Sequence, residues 1–258
     1  MKRDGKGDRS PGINSPSFPL AGRAAVLLTQ VRVPLVQVFG LCAGLVALAP
    51  VVSTAEISLV YRQRTGSRED RIEMSEDALP SKAELRIAFS SGETYHIISD
   101  EKGDVTACSF AFPKEGTSWE ATRNGDTLQL AGTVKGSAVT RTLRIDNHPW
   151  YESAERSLQS YAVSASREPL RFWMIEPYTG SAFLMGVTIE RREPVDVNGR
   201  SMEAVRVVMK PQGILALFWN TTYWFRPHDG TFLRSQSIGI LSRAAVIVEL
   251  VEDHRASP

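Results

Sequence analysis

The chain has 258 residues, 42% of them hydrophobic, a formal net charge of +1 and two cysteines. No basic tract occurs beyond the N-terminal segment, and no aromatics are interleaved with clustered Lys and Arg, so composition gives no support to a nucleic-acid partner. One of the two cysteines, Cys42, lies in an N-terminal apolar run, which leaves Cys108 alone in the remainder and excludes an internal disulfide there.

Residues 1–55 have the layout of an export signal. Basic residues extend through Arg32, an apolar run follows from Val33 to Val52, and Ser53-Thr54-Ala55 supplies small residues at the cut before Glu56. A retained anchor is the competing reading, because the run approaches the ~18 residues that a spanning helix needs. Gly40, Gly44 and Pro50 interrupt the run and favour cleavage. Leu41 stands where a lipoprotein signal carries a small residue before its cysteine, and no twin-arginine pair precedes the run. Removal of this segment turns the positive balance into an acidic excess and leaves about 200 residues, the size of one domain. The predicted organisation is therefore a signal over 1–55 and a single antiparallel β domain over 56–258, in the periplasm or on the envelope. A lone thiol in that compartment is expected to be buried and inert.

Beyond Glu56 the pattern has period two. Ile57, Leu59 and Tyr61 alternate with polar neighbours, as do Tyr95 and Ile97. The segment from Arg64 to Ser91, rich in charge and interrupted by Pro80, is expected to contain a loop. Asn124-Gly125-Asp126 and Lys135-Gly136 divide Thr117 to Ile145 into hairpins. Next comes one helical stretch, with Trp150, Ala154, Leu158 and Tyr161 on one face, Pro149 in the first turn, Asp146 or Asn147 as cap and Glu152 paired with Arg156. Strands resume from Pro169, with turns at Asn198-Gly199 and Asp229-Gly230. About ten to twelve strands joined by short turns make an antiparallel meander, since parallel pairing needs long crossovers. The fold class is mainly β: a curled sheet or incompletely closed barrel packed on one α-helix, which covers the concave face.

The C-terminal part carries a resemblance. Glu193-Pro194-Val195-Asp196-Val197-Asn198-Gly199-Arg200, Glu203-Ala204-Val205-Arg206-Val207, Tyr223-Trp224-Phe225-Arg226-Pro227-His228-Asp229-Gly230 and Leu233-Arg234 resemble the envelope proteins of domain-of-unknown-function family 3108. The resemblance implies an extended segment ending in a glycine turn, then an aromatic strand, an aspartate turn and a strand returning to the sheet. The aromatic strand and its turn are also similar to an element of lipoprotein-carrier half-barrels, whose open curved sheet and helical lid hold acyl chains. That likeness is one of architecture and licenses a fold more readily than a ligand.

Catalytic constellations are not found. His96, His148, His228 and His254 have no metal-ligand spacing, and His228-Asp229 fits a turn better than acid–base work. Nucleophile-elbow, zinc-protease and phosphate-loop motifs are missing. The reading is non-enzymatic and calls for no cofactor or metal. Phe172, Met174, Phe183, Met185, Val187, Val207 and Met209 fall on single faces of their strands and are candidates to line a concavity for lipid or another apolar ligand. Phe218, Trp219 and Trp224 complete the candidate set. Ile214 to Trp219 is favoured as a buried core strand or turn, the alternative being a loop at the mouth of the concavity. Two functions stay open: carriage of an apolar ligand within the curled sheet, or a filled-core module of the envelope that binds a protein partner.

Overall fold

The computed structural model describes residues 56–79, 81–239 and 245–255. The apolar run and the cut after Ala55 lie outside them. Fourteen strands follow one another: β1 (Glu56–Thr65), β2 (Arg68–Leu79), β3 (Lys82–Phe89), β4 (Thr94–Asp100), β5 (Val105–Phe112), β6 (Thr117–Asn124), β7 (Thr127–Val134), β8 (Ser137–Arg144), β9 (Leu170–Glu176), β10 (Ser181–Val197), β11 (Arg200–Pro211), β12 (Trp219–Phe225), β13 (Phe232–Gly239) and β14 (Val246–Arg255). All pair antiparallel in one sheet, in the order β8-β7-β6-β5-β4-β3-β2-β1-β14-β13-β12-β11-β10-β9. The first and last strands are neighbours in mid-sheet, and β8 and β9 are the two open edges.

Local chemistry sets these turns. Lys135-Gly136 and Asn198-Gly199 have positive φ at both residues, which matches the right-handed twist of the flanking strands in two-residue hairpins. The hairpin β2–β3 occupies the stretch expected to contain a loop. There, Ile72 and Met74 alternate inward with charged residues outward, and Arg86 bonds Asp77 across the strands and Glu84 at 2.8 Å along its own. The charges that obscured the alternation are cross-strand and same-face partners on the solvated side.

The helix is shorter than its sequence period implies. It runs through α1 (Ala154–Ser157) and α2 (Gln159–Val163), with a break at Leu158. Pro149 to Tyr151 are drawn instead into sheet pairing: Trp173 N donates to Pro149 O at 2.8 Å and Tyr151 N to Trp173 O at 2.9 Å. The cap is therefore Ser153, whose Oγ accepts from Arg156 N, whereas Asp146 accepts from His148 N at 3.1 Å. Nor does Glu152 pair with Arg156; it turns inward, and Arg156 grips Glu76 of β2 at 2.5 and 2.7 Å. The predicted face is otherwise present. Trp150, Ala154 and Leu158 are buried, Ala162 joins them, and Tyr161 is half-buried with its hydroxyl donating to Glu168 O at 2.9 Å.

The sheet is not closed by strand pairing, and the connection from β8 to β9 bridges the opening. Trp150 O accepts from Val105 N of β5 at 2.9 Å, so residues 149–151 lie between β9 and the start of β5. The β9–β10 turn docks on the other half of the sheet. Trp119 Nε1 donates to Pro177 O at 2.8 Å, the Tyr178 hydroxyl to Glu93 at 2.8 Å, and Arg141 Nη1 to Thr179 O and Gly180 O at 2.5 and 3.0 Å. Gly180 has φ +62°, a left-handed conformation that strains any residue with a Cβ, although the space beside Leu130 would admit one.

Leu158 is fully buried against the sheet, so Leu158→Ala is expected to cost about 2–5 kcal/mol in a denaturant titration. Gln159→Ala, which removes a side-chain bond to Glu155 O, is expected to cost less than about 1 kcal/mol.

Candidate ligand cleft

The interior of the curl has two unlike halves. Under β9 to β12, the residues on the concave face belong to the buried hydrophobic core. Met185 stands opposite Phe172, Phe183 opposite Met174, and Val187 opposite Met209, which places all of them with Val207 on one face. Phe172, Met185, Val187, Val207 and Met209 are buried against Trp150, Leu158, Tyr223, Phe225 and Phe232, while Met174 and Phe183 are half-buried at the end of the sheet. This set, expected to line a concavity, is packed core.

Trp224 and Phe218 depart further from expectation. Tyr223 and Phe225 take the inward positions of β12, so Trp224 faces out from the convex side. There its ring lies between the guanidinium groups of Arg206 and Arg234, each 5.9 Å from the centroid, and its Nε1 donates to Glu193 at 2.9 Å. Residues 213–217 form a 3₁₀ turn, with Ile214 73%, Leu217 68% and Phe218 47% exposed. The stretch favoured as buried core is thus an exposed tip, because three residues per turn cannot direct every side chain of an unbroken apolar run inward. Trp219 alone of this stretch packs at the base, as the first residue of β12.

The second half of the curl holds open space. A cleft of about 510 Å³ lies where β2, β3, β4 and β5 end, under the segment 151–161. Leu85, Ile97 and Val105 form its buried floor, and Tyr151, Tyr161 and Leu170 its half-buried wall. Lys82, Asp100, Glu101 and Lys102 stand at its rim, and the Arg156–Glu76 pair forms the remaining side. No residue of the sequence-derived candidate set lines this cleft. Ile214 to Trp219 is also not at its mouth, since the alternation of strand directions puts the β11–β12 connection at the opposite strand ends. Part of the cleft was signalled in the sequence: the alternation at Ile97 is read there as strand, whereas that of Leu85 with Arg86 is masked by the charges of the β2–β3 hairpin.

Beside the cleft, Glu152 is the most perturbed carboxyl. It is buried, accepts from Trp150 Nε1 and from Ile175 N at 2.8 Å, and is pushed up to about 8 by burial, with Glu176 adding to the rise. Its field also falls on Cys108 and Tyr95, whose protons burial already holds well above their ordinary values. Cys108 is accordingly a buried, unreactive thiol. The histidines are dispersed, and among the described residues no three His, Cys, Asp or Glu side chains could hold a metal ion. The aspartate of His228-Asp229 shapes a turn by accepting from Thr231 N at 3.1 Å.

The fold has structural counterparts. The chain is similar to a β-barrel-like protein of the domain of unknown function DUF1849 from Brucella abortus. Their TM-score is 0.50 at 8% identity, over 79% of this chain and 99% of that one. At that identity the likeness is one of fold. A candidate lipoprotein from Parabacteroides distasonis aligns with TM-score 0.31 at 10% identity, over 78% of this chain and 95% of its own. A candidate exported protein with a YmcC-like fold from Bacteroides fragilis aligns with TM-score 0.33 at 10% identity, over 78% and 96%. No protein-family model and no curated protein matches the sequence.

Two outcomes follow from this geometry. A carboxyl raised on folding stabilises the protein fully below its unfolded value of about 4.5, and that contribution is lost as pH rises through about 8. The thermal midpoint of the wild type should therefore fall between pH 5 and pH 8. Glu152→Gln, whose amide oxygen can still accept both bonds, should flatten the fall and melt higher than wild type at pH 9. Met185→Glu puts a charge where there is no room for water, and loss of the cooperative circular-dichroism transition is expected.

Proposed function

We propose that this is an exported, non-enzymatic envelope protein that binds an amphiphile, one acyl chain or a similar apolar body, in the cleft beneath its helix. The cleft's volume of about 510 Å³ carries the reading, since it falls within the roughly 300–1,000 Å³ of small-molecule sites. Its floor is aliphatic, so the buried end of the ligand is apolar. The ammonium groups of Lys82 and Lys102 and the carboxylates of Asp100 and Glu101 surround the entrance, so the outer end is polar. Export rests on the basic start, the apolar run and the small residues before Glu56.

The packed half under β9 to β12 favours a second reading, a structural or interaction module of the envelope whose interior is filled. The two are separated by mass spectrometry of material extracted from the purified protein, together with titration of a fluorescent fatty acid. Ala83→Trp, at a half-exposed position in the cleft wall, should remove binding while leaving thermal unfolding nearly unchanged. Absence of both co-purified lipid and fatty-acid binding in the wild type would discard the cleft reading in favour of the module.

A further inference from the structure

The exposed β11–β12 tip has no role in the cleft, and its composition is unusual for a surface turn. Ile214, Leu217 and Phe218 are three of the five large hydrophobic side chains exposed among the described residues, and all three fall within one short 3₁₀ turn and its cap. Isolated exposed apolar residues are ordinary, but clustering at a protruding tip marks a contact surface. Three apolar side chains are far fewer than the roughly 20–30 residues a side that an ordinary stable protein interface engages. A lipid interface requires no such number and no shape complementarity.

Charge supplies the second argument. Arg171, Gly186 and Lys210 stand directly opposite one another on β9, β10 and β11, which puts both cations on the convex face, two strand spacings or about 10 Å apart. Lys210 lies three residues before Gly213, where the turn begins. Both side chains are exposed, and among the described residues neither forms an ion pair with a carboxylate. Glycine between them keeps the strip low, and the Gln212 amide lies over it. An apolar tip backed by free cations is the arrangement that enters the acyl boundary of an anionic bilayer while its basic residues meet the headgroups.

We infer that the 213–218 tip docks the protein on a membrane surface containing anionic lipid, with Ile214, Leu217 and Phe218 entering the interface and Arg171 and Lys210 facing the headgroups. This inference is independent of the cleft. The test uses the full chain with Cys42→Ser and a polarity-sensitive fluorophore on a cysteine placed by Ile214→Cys; Cys108 is buried and stays unlabelled. A second labelled variant, Asp126→Cys, reports from an exposed turn at the opposite strand ends. Vesicles of phosphatidylcholine with phosphatidylglycerol should shift the Ile214→Cys emission to the blue and protect it from iodide, with the Asp126→Cys probe unchanged. Adding Lys210→Glu should remove most of that protection. A local probe separates tip insertion from any attachment through residues 33–52, which would leave the tip in water. An unshifted Ile214→Cys probe overturns the inference. So does protection that grows with protein concentration in the absence of vesicles, which would mean that a second copy covers the tip.

Discussion

The fold depends on how a fourteen-stranded meander deals with its two free edges. A sheet of this length must curl, and the backbone groups of β8 and β9 must find partners or face water. Here the connection between those two strands does the work itself. Residues 149–151 pair with β9 on one side and reach Val105 on the other, so a segment too short to count as a strand stands in for one. Trp150 anchors it from within, and its indole N–H is met by the carboxyl of Glu152, which also accepts from Ile175. One buried carboxyl thus satisfies a donor on the strap and a donor on the edge that the strap covers.

That arrangement explains why the interior divides. The strap and helix lie close over β9 to β12, where Trp150, Leu158 and the aromatic residues of β12 and β13 fill the space between. The β9–β10 turn fills the space over β5 to β8, with Tyr178 against Phe110 and Phe112 of β5 and Trp119 and Arg141 bonded to its backbone. Between these two plugs, the ends of β2 to β5 have the helix's outer flank, Tyr151 and Leu170 above them. The Arg156–Glu76 pair props that flank away from the sheet, and the cleft is what remains. A charged pair in this position contributes shape more than stability, since desolvation consumes most of its attraction.

Strand alternation and turn chemistry made the fold class and most hairpins legible in the sequence. Asn198-Gly199, Lys135-Gly136 and Asp229-Gly230 all turn where their residue types require. The β2–β3 hairpin was hidden because its polar face is an array of ion pairs, and a run of charges looks the same whether it is a solvated loop or a paired ladder. Helical phase was readable, but helix length was not, since recruitment of Pro149 and Trp150 into the sheet is a tertiary event. The candidate set fell outside the cleft for a related reason. Period two assigns Phe172, Met185 and Val207 to a common inward face, yet the same pattern describes a lined cavity and a packed core. What separates them is the thickness of the layer above, which depends on the strap. Trp224 was misplaced because an aromatic in an aromatic strand resembles core, whereas its flanking arginines one strand away on either side hold it outside.

The adjacency of β1 and β14 has a kinetic consequence. Every other ladder in the sheet joins strands consecutive in sequence, so β1 to β8 and β9 to β14 can each zip from local hairpins with small loop-closure costs. The β1–β14 ladder instead joins Ile57 to Arg255, nearly the whole described length apart. A chain emerging from its N-terminus must therefore hold one side of β1 unpaired until the last strand arrives. During that interval the exposed edge is the place where pairing with another chain competes with folding. Arg62 and Arg64 sit on that edge, where charge opposes stacking with another copy, and both converge on the buried Glu249 only when β14 is in place, Arg62 having Glu69 of β2 beside it until then.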